Sequence, residues 1–217
     1  MLRVRPVHFT SDLDGFAATL EAQGLSCLES HGDWRVYDSG NGKVGIHRAE
    51  AGTAMDGTTV LGFEVRDHEI FVRRTLEDGT RAEVVDSRHG STARVSAPDG
   101  FNFLADPVAD LSLPTGGPVA VTAVWRTPDT AEANKVLADI GAKFVRGQPG
   151  GAALFRAKNG GFVATVQAHA SGVELEIKHD GGPPPFGAES ESQVHSGPGG
   201  RAPGKDGVEL RYERAHP

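Results

Sequence analysis

The stretch Arg3–Gly24, RVRPVHFTSDLDGFAATLEAQG, holds the grammar on which the whole chain is built. An extended apolar run ends at Thr10, Asp12 stands where a helix should begin, and Leu13, Phe16, Ala17 and Leu20 recur at i, i+3, i+4 and i+7 before Gly24. That spacing places one apolar stripe on a helix. An aspartate accepts backbone N–H bonds at a helix start, and glycine adopts the left-handed conformation that ends one.

The same grammar returns twice. Thr58–Arg66 is followed by Asp67, a shorter helix around Ile70–Glu77, and Gly79. Val119–Thr127 is followed by Asp129, a helix with Ala133, Val136, Leu137 and Ile140 on one face, and Gly141. From Asp12 to Asp67 is 55 residues and from Asp67 to Asp129 is 62; Gly24, Gly79 and Gly141 repeat the same two intervals. Start and stop signals that move together are the mark of duplicated units.

Short strands separated by Gly-containing turns follow each helix. The first unit predicts Cys27–Ser30, Trp34–Asp38 and Lys43–Ala49; the second Ala82–Asp86, Ser91–Ala97 and Asn102–Ala105; the third Lys143–Arg146, Ala152–Ala157 and Phe162–Ala168. Each unit therefore reads βαβββ. A single unit of this size leaves one sheet face and an edge open, whereas two paired units enclose a trough suited to a small molecule.

Residues Arg5-Pro-Val-His-Phe-Thr-Ser-Asp12-Leu-Asp-Gly-Phe16, Gly42-Lys-Val-Gly-Ile-His47, Leu61-Gly-Phe-Glu-Val-Arg-Asp67 and Ala97-Pro-Asp-Gly-Phe-Asn-Phe-Leu104 resemble the vicinal oxygen chelate superfamily, which includes glyoxalase I, extradiol dioxygenases and bleomycin-resistance proteins. The resemblance implies an α+β fold of tandem βαβββ modules: two paired modules over 1–108, then a third and a degenerate fourth over 116–217. Gly172–Asp180 looks like the opening strand of that fourth module and Gly207–Glu213 its last strand. Between them, residues 180–206 hold seven Gly, five Pro and three Ser, with Phe186 and Val194 the sizeable apolar side chains, and read as a flexible loop.

In metal-dependent members of the superfamily the ligands sit on the first and last strand of each module. Seven residues before each helix-start aspartate, the first-strand positions here are Arg5, Val60 and Thr122, and the closing-strand positions are His47 and Leu104. Only His47 is a ligand type, and three protein ligands are the norm. The resemblance thus implies no cofactor and no metal residue, with a divalent ion the less favoured case should a shifted register bring His8 or Glu64 inward.

Strand alternation puts Lys43, Gly45, His47 and Ala49 on one face, and Glu64 with Val60 and Gly62 opposite Leu61, Phe63 and Val65. His47 and Glu64 are the candidate catalytic residues, as an acid/base pair. Arg5, Trp34, His47, Glu64 and Phe101 are the candidate ligand-binding residues: Arg5 as a planar fork for polar or anionic groups, Trp34 and Phe101 as flat apolar walls. Each has a plainer alternative: a satisfied strand histidine, an edge cation, an Arg5–Glu64 ion pair, and aromatic core. The first expectation is a glyoxalase/bleomycin-resistance-type protein that binds a small organic ligand without a metal; the alternative is a metal-dependent or acid/base lyase, isomerase or dioxygenase.

Composition narrows the partners. With 22 Lys+Arg against 29 Asp+Glu the chain is a poor electrostatic match for nucleic acid. No apolar run reaches the roughly 18 residues that would span a membrane, and Arg3, Pro6 and His8 interrupt any secretory signal, so a cytoplasmic location is expected. The third module is expected to pack on the first two or to pair with its copy in a homodimer. Gly199–Lys205 only imitates a phosphate loop, since Asp206 replaces the required hydroxyl. Ser91, His89 and Asp86 lack a nucleophile elbow, and Cys27, between Leu25 and Leu28, reads as a buried inert thiol.

Overall fold

A computed structural model describes residues 1–87 and 90–179. The His89-Gly90 turn, the 180–206 loop, the phosphate-loop look-alike and the 207–213 strand lie wholly or partly outside the described residues.

The first module opens with a strand broken into β1 (Leu2–Val4) and β2 (Val7–Thr10), followed by α1 (Leu13–Ala22), β3 (Ser26–His31), β4 (Trp34–Asp38) and β5 (Lys43–Arg48). Its second copy repeats the break as β6 (Thr59–Val60) and β7 (Gly62–Val65), then α2 (His68–Glu77), β8 (Arg81–Ser87), β9 (Gly90–Ser96) and β10 (Asn102–Pro107). The third has an unbroken β11 (Ala120–Thr127), then α3 (Thr130–Asp139), β12 (Lys143–Gly147), β13 (Ala153–Arg156), β14 (Phe162–Gln167) and a further strand β15 (Gly172–Lys178).

The local signals act as expected. Asp12, Asp67 and Asp129 accept the N–H of Gly15, Ile70 and Glu132 at 2.9, 2.9 and 3.0 Å. Gly24, Gly79 and Gly141 have φ of +86, +104 and +88°, ending each helix in the left-handed region. In every module the first strand lies parallel to the closing one, as β2 on β5, β7 on β10 and β11 on β14.

The first strands of the first two modules pair antiparallel with each other, β1 with β7 and β2 with β6, and β11 of the third pairs antiparallel with β15. Because Arg5-Pro6 and Leu61 interrupt two of them, the modules share two sheets. One has five strands in the order β1-β7-β10-β9-β8; the other has ten, β12-β13-β14-β11-β15-β6-β2-β5-β4-β3. The break also demands glycine at 62, where a Cβ would stand 2.6 Å from the Arg5 carbonyl oxygen.

Helix-facing side chains of all three modules form one core that includes Leu13 and Leu20, Phe63 and Phe71, and Trp125 and Leu137. The opposite face of the third module's part of the ten-stranded sheet carries a second apolar cluster, Ala120, Val124, Leu154, Phe162 and Ala164. Cys27 departs from expectation: it is exposed, because β3 is the outermost strand of its sheet and every one of its residues faces solvent. Among the described residues no helix is long and apolar enough to cross a membrane.

His8 is buried on the helix side, stacked on Phe16 at 3.9 Å with Nδ1 3.0 Å from Thr59 Oγ1. Burial lowers its pKa from 6.5 to about 4, against the opposing pull of the Asp56 charge. The fold therefore holds a neutral imidazole that the unfolded chain protonates more readily. Stability is expected to fall as pH drops from 6.5 toward 4, by about 3 kcal/mol from this residue. Denaturant titrations across that range should show a shallower decline in His8→Phe than in the parent chain. Asp67→Ala should cost about 1 kcal/mol at neutral pH by the same measurement, the usual loss for a helix cap.

Candidate functional site

The trough between the first two modules is built from the strand residues that point away from the helices. Val44 and Ile46 of β5 enter the core, so Lys43, Gly45 and His47 face the other way. Trp34 is opposite His47 in the β4–β5 pair, and Phe9 is opposite His47 in the β2–β5 pair. The three rings make one wall: Phe9 and Trp34 lie 5.6 and 6.1 Å from His47, centroid to centroid, and all three are partly exposed. Gly45 makes room for the indole, since a Cβ there would lie 2.5 Å from its Cη2 atom.

Beside the wall lies a buried ionic floor. Arg3 is opposite Glu64 across β1–β7, and Asp106 is opposite Glu64 across β7–β10, so all three share the trough face. Glu64 accepts from Arg3 at 2.7 Å, with Lys43 Nζ at 3.4 Å and Arg5 Nε at 3.7 Å. Arg5 donates through Nη2 to Asp106, and its guanidinium carbon stands 5.2 Å over the Trp34 ring, a cation–π contact. Asp110 accepts from Arg3 and Lys43, each at 2.9 Å. The Ser112 backbone N–H and the Lys43 ammonium hold the Asp110 carboxyl well below the usual carboxylate range.

Arg5, Trp34, His47 and Glu64 are thus brought to one trough, while Phe101 is not. It stacks on Trp125 at 4.8 Å, against the buried core, because the Pro98–Gly100 turn aims it at the third module. The candidate acid/base pair occupies two environments: Glu64 is bound among cations, and His47 Nδ1 is 2.8 Å from the Arg48 carbonyl oxygen. Ser91 Oγ donates to Asp86 at 3.3 Å.

Arg3, Asp106, Asp110 and Phe9 are trough residues that sequence reasoning passed over, and Lys43, which alternation had put on the His47 face, was given no role. Alternation would also have found Arg3, which is two positions from Arg5. Asp110 comes from an irregular connection and carries no such signal.

No protein-family model matches the chain, and no curated protein matches it. Solved structures do. A variant of homoprotocatechuate 2,3-dioxygenase from B. fuscum in complex with HPCA is 17% identical, with 76% of this chain covering 52% of that one at a TM-score of 0.50. The chain has the vicinal oxygen chelate fold. A Mn(II)-bound glyoxalase from Novosphingobium aromaticivorans aligns at 15% identity over 80% of this chain and 63% of that one, TM-score 0.50. A hypothetical protein from Staphylococcus aureus aligns at 9% identity over 81% and 90%, TM-score 0.52. The chain spans about half the length of the dioxygenase.

These neighbours correct the expectation of no cofactor: a structure of the vicinal oxygen chelate fold is Mn(II)-bound, so a missing cofactor does not follow from this architecture. What the ligand count decides is the fit at one trough. There, Arg5, Val60 and Leu104 supply no ligand beside His47. Among the described residues no group of three His, Cys, Asp or Glu stands together to hold a metal ion. The residues of this trough do not fit the group.

A separate groove of about 250 Å³ lies at the start of α3, between Pro98, Asp99, Trp125, Thr127 and Glu132. Two of its lining carboxylates are engaged locally: Asp99 accepts from Phe101 N–H and Ser171 Oγ, and Asp129 caps α3.

Replacing Arg3 by Ala should destabilise the protein by about 3 kcal/mol or more, the usual loss when one member of a buried ionic group is removed. Equilibrium unfolding in urea at neutral pH measures it, and a loss below about 1 kcal/mol would show that the floor does not hold the modules together.

Proposed function

We propose that the protein binds a small organic molecule in the trough formed by residues 1–108. Trp34, Phe9 and His47 form its aromatic wall, and Arg5 and Glu64 the polar floor. The observation that carries this reading is the aromatic wall itself: three rings stand together, partly exposed, on the sheet face that points away from the helices, and a glycine directly beneath Trp34 keeps the space its indole needs. Ligand sites combine such apolar surface with a few fixed polar groups. The binding role is favoured over an acid/base enzyme because the Glu64 carboxylate is committed to Arg3 and Lys43, which leaves it badly placed to take a proton from a substrate.

A thermal-shift screen of small organic compounds tests the reading, with tryptophan fluorescence on each hit. A ligand at 100 times its dissociation constant should add about 2.7 kcal/mol of stability. Its fluorescence response should vanish in Trp34→Phe while Trp125 remains. Hits whose affinity is unchanged in both Trp34→Phe and His47→Ala would place binding elsewhere and overturn the assignment.

A further inference from the structure

We propose that the molecule taken by this trough is an anion, its carboxylate or phosphate group docking on Arg5 in place of Asp106. The inference rests on the binding reading above and adds the charge of the ligand to it.

The positive charge of the floor lies deeper than most of the negative charge that balances it. Arg3, Lys43 and Arg5 have side chains only 4, 5 and 9% exposed, and one carboxylate lies as deep, Glu64 at 3%. The other two, Asp106 and Asp110, are 38 and 44% exposed and reach in from the rim. A buried cation requires a counter-charge close by. A rim carboxylate can exchange a protein partner for water at small cost, and a buried one cannot. The cations are therefore permanent, and part of their neutralisation is replaceable.

Among the three cations, Arg5 has donor capacity to spare. Arg3 spends Nε on the Asn159 carbonyl, Nη1 on Glu64 and Asp110, and Nη2 on the carbonyl and hydroxyl of Ser112. Lys43 is shared between Asp110 and Glu64. Arg5 reaches Asp106 through Nη2, while its buried Nε makes no hydrogen bond and has only a longer ion pair, 3.7 Å from Glu64 Oε1. An arginine fork accepts carboxylate or phosphate through two parallel bonds, so an incoming oxyanion would satisfy Nε and take over Nη2. Asp106 would keep its 2.7 Å bond from Thr92 Oγ1 as it turns to water. Trp34, against the Arg5 guanidinium, would face the organic part of the same molecule.

Isothermal titration of the full chain with benzoate, phenyl phosphate, benzyl alcohol and benzylamine tests this, with tryptophan emission recorded alongside. The two anions should bind and perturb Trp34, with affinity falling as salt is raised, and their ratio tells carboxylate from phosphate. Asp106→Asn, confirmed as folded by its melting curve, should bind the preferred anion about tenfold more tightly, since a competing carboxylate is gone. Binding of the alcohol or the amine at least as tightly as the anions, with Trp34 perturbed, would overturn the anionic assignment and leave the trough as a ligand site. So would an Asp106→Asn protein with unchanged anion affinity. Silence of Trp34 toward all four compounds would remove the binding reading itself.

Discussion

The guanidinium of Arg3 is the point on which the architecture turns. It belongs to the first module, bonds Glu64 of the second, reaches Asp110 and Ser112 in the connection that follows, and donates to the backbone at Asn159 of the third. Five donors in a fixed fork suit such a junction, where a lysine would offer one compact charge. The backbone reinforces it, with Val4 N–H donating to Gly160 and Asn159 N–H to Leu2. What looks from the trough like a polar floor is, from the core side, the joint between three copies of one unit.

That dual service explains the chemical character of the trough. Arg5, Val60, Leu104 and His47 offer one metal-ligand type among them, and the neighbouring strand positions carry cations paired with carboxylates. A site so arranged can recognise charge and flat surface. Its one histidine stands in an aromatic wall, at the edge of the ionic cluster.

Much of the fold was legible because its signals are local. A capping aspartate and a stopping glycine act within one helical turn, so three copies at matched intervals disclosed the modules. Alternation likewise put Glu64 and His47 on the trough face. The breaks at Arg5-Pro6 and Leu61 were not legible, since they arise where two first strands cross, a contact between residues about 57 positions apart. Phe101 was misplaced for a related reason: the turn before it was recognised, but its direction depends on Trp125 in another module. Asp110 joined the floor from a stretch with no periodicity at all, and Cys27 was misjudged because neighbouring leucines cannot reveal that β3 is an outermost strand.

The interrupted first strands have a consequence for how the molecule comes apart. Residues 2–10 contribute β1 to the five-stranded sheet and β2 to the ten-stranded one, and residues 59–65 do the same through β7 and β6. Neither sheet can peel away without unzipping a segment that the other also requires. Opening is thereby tied into one cooperative event, and the backbone amides at this crossing are expected to exchange only when that event occurs.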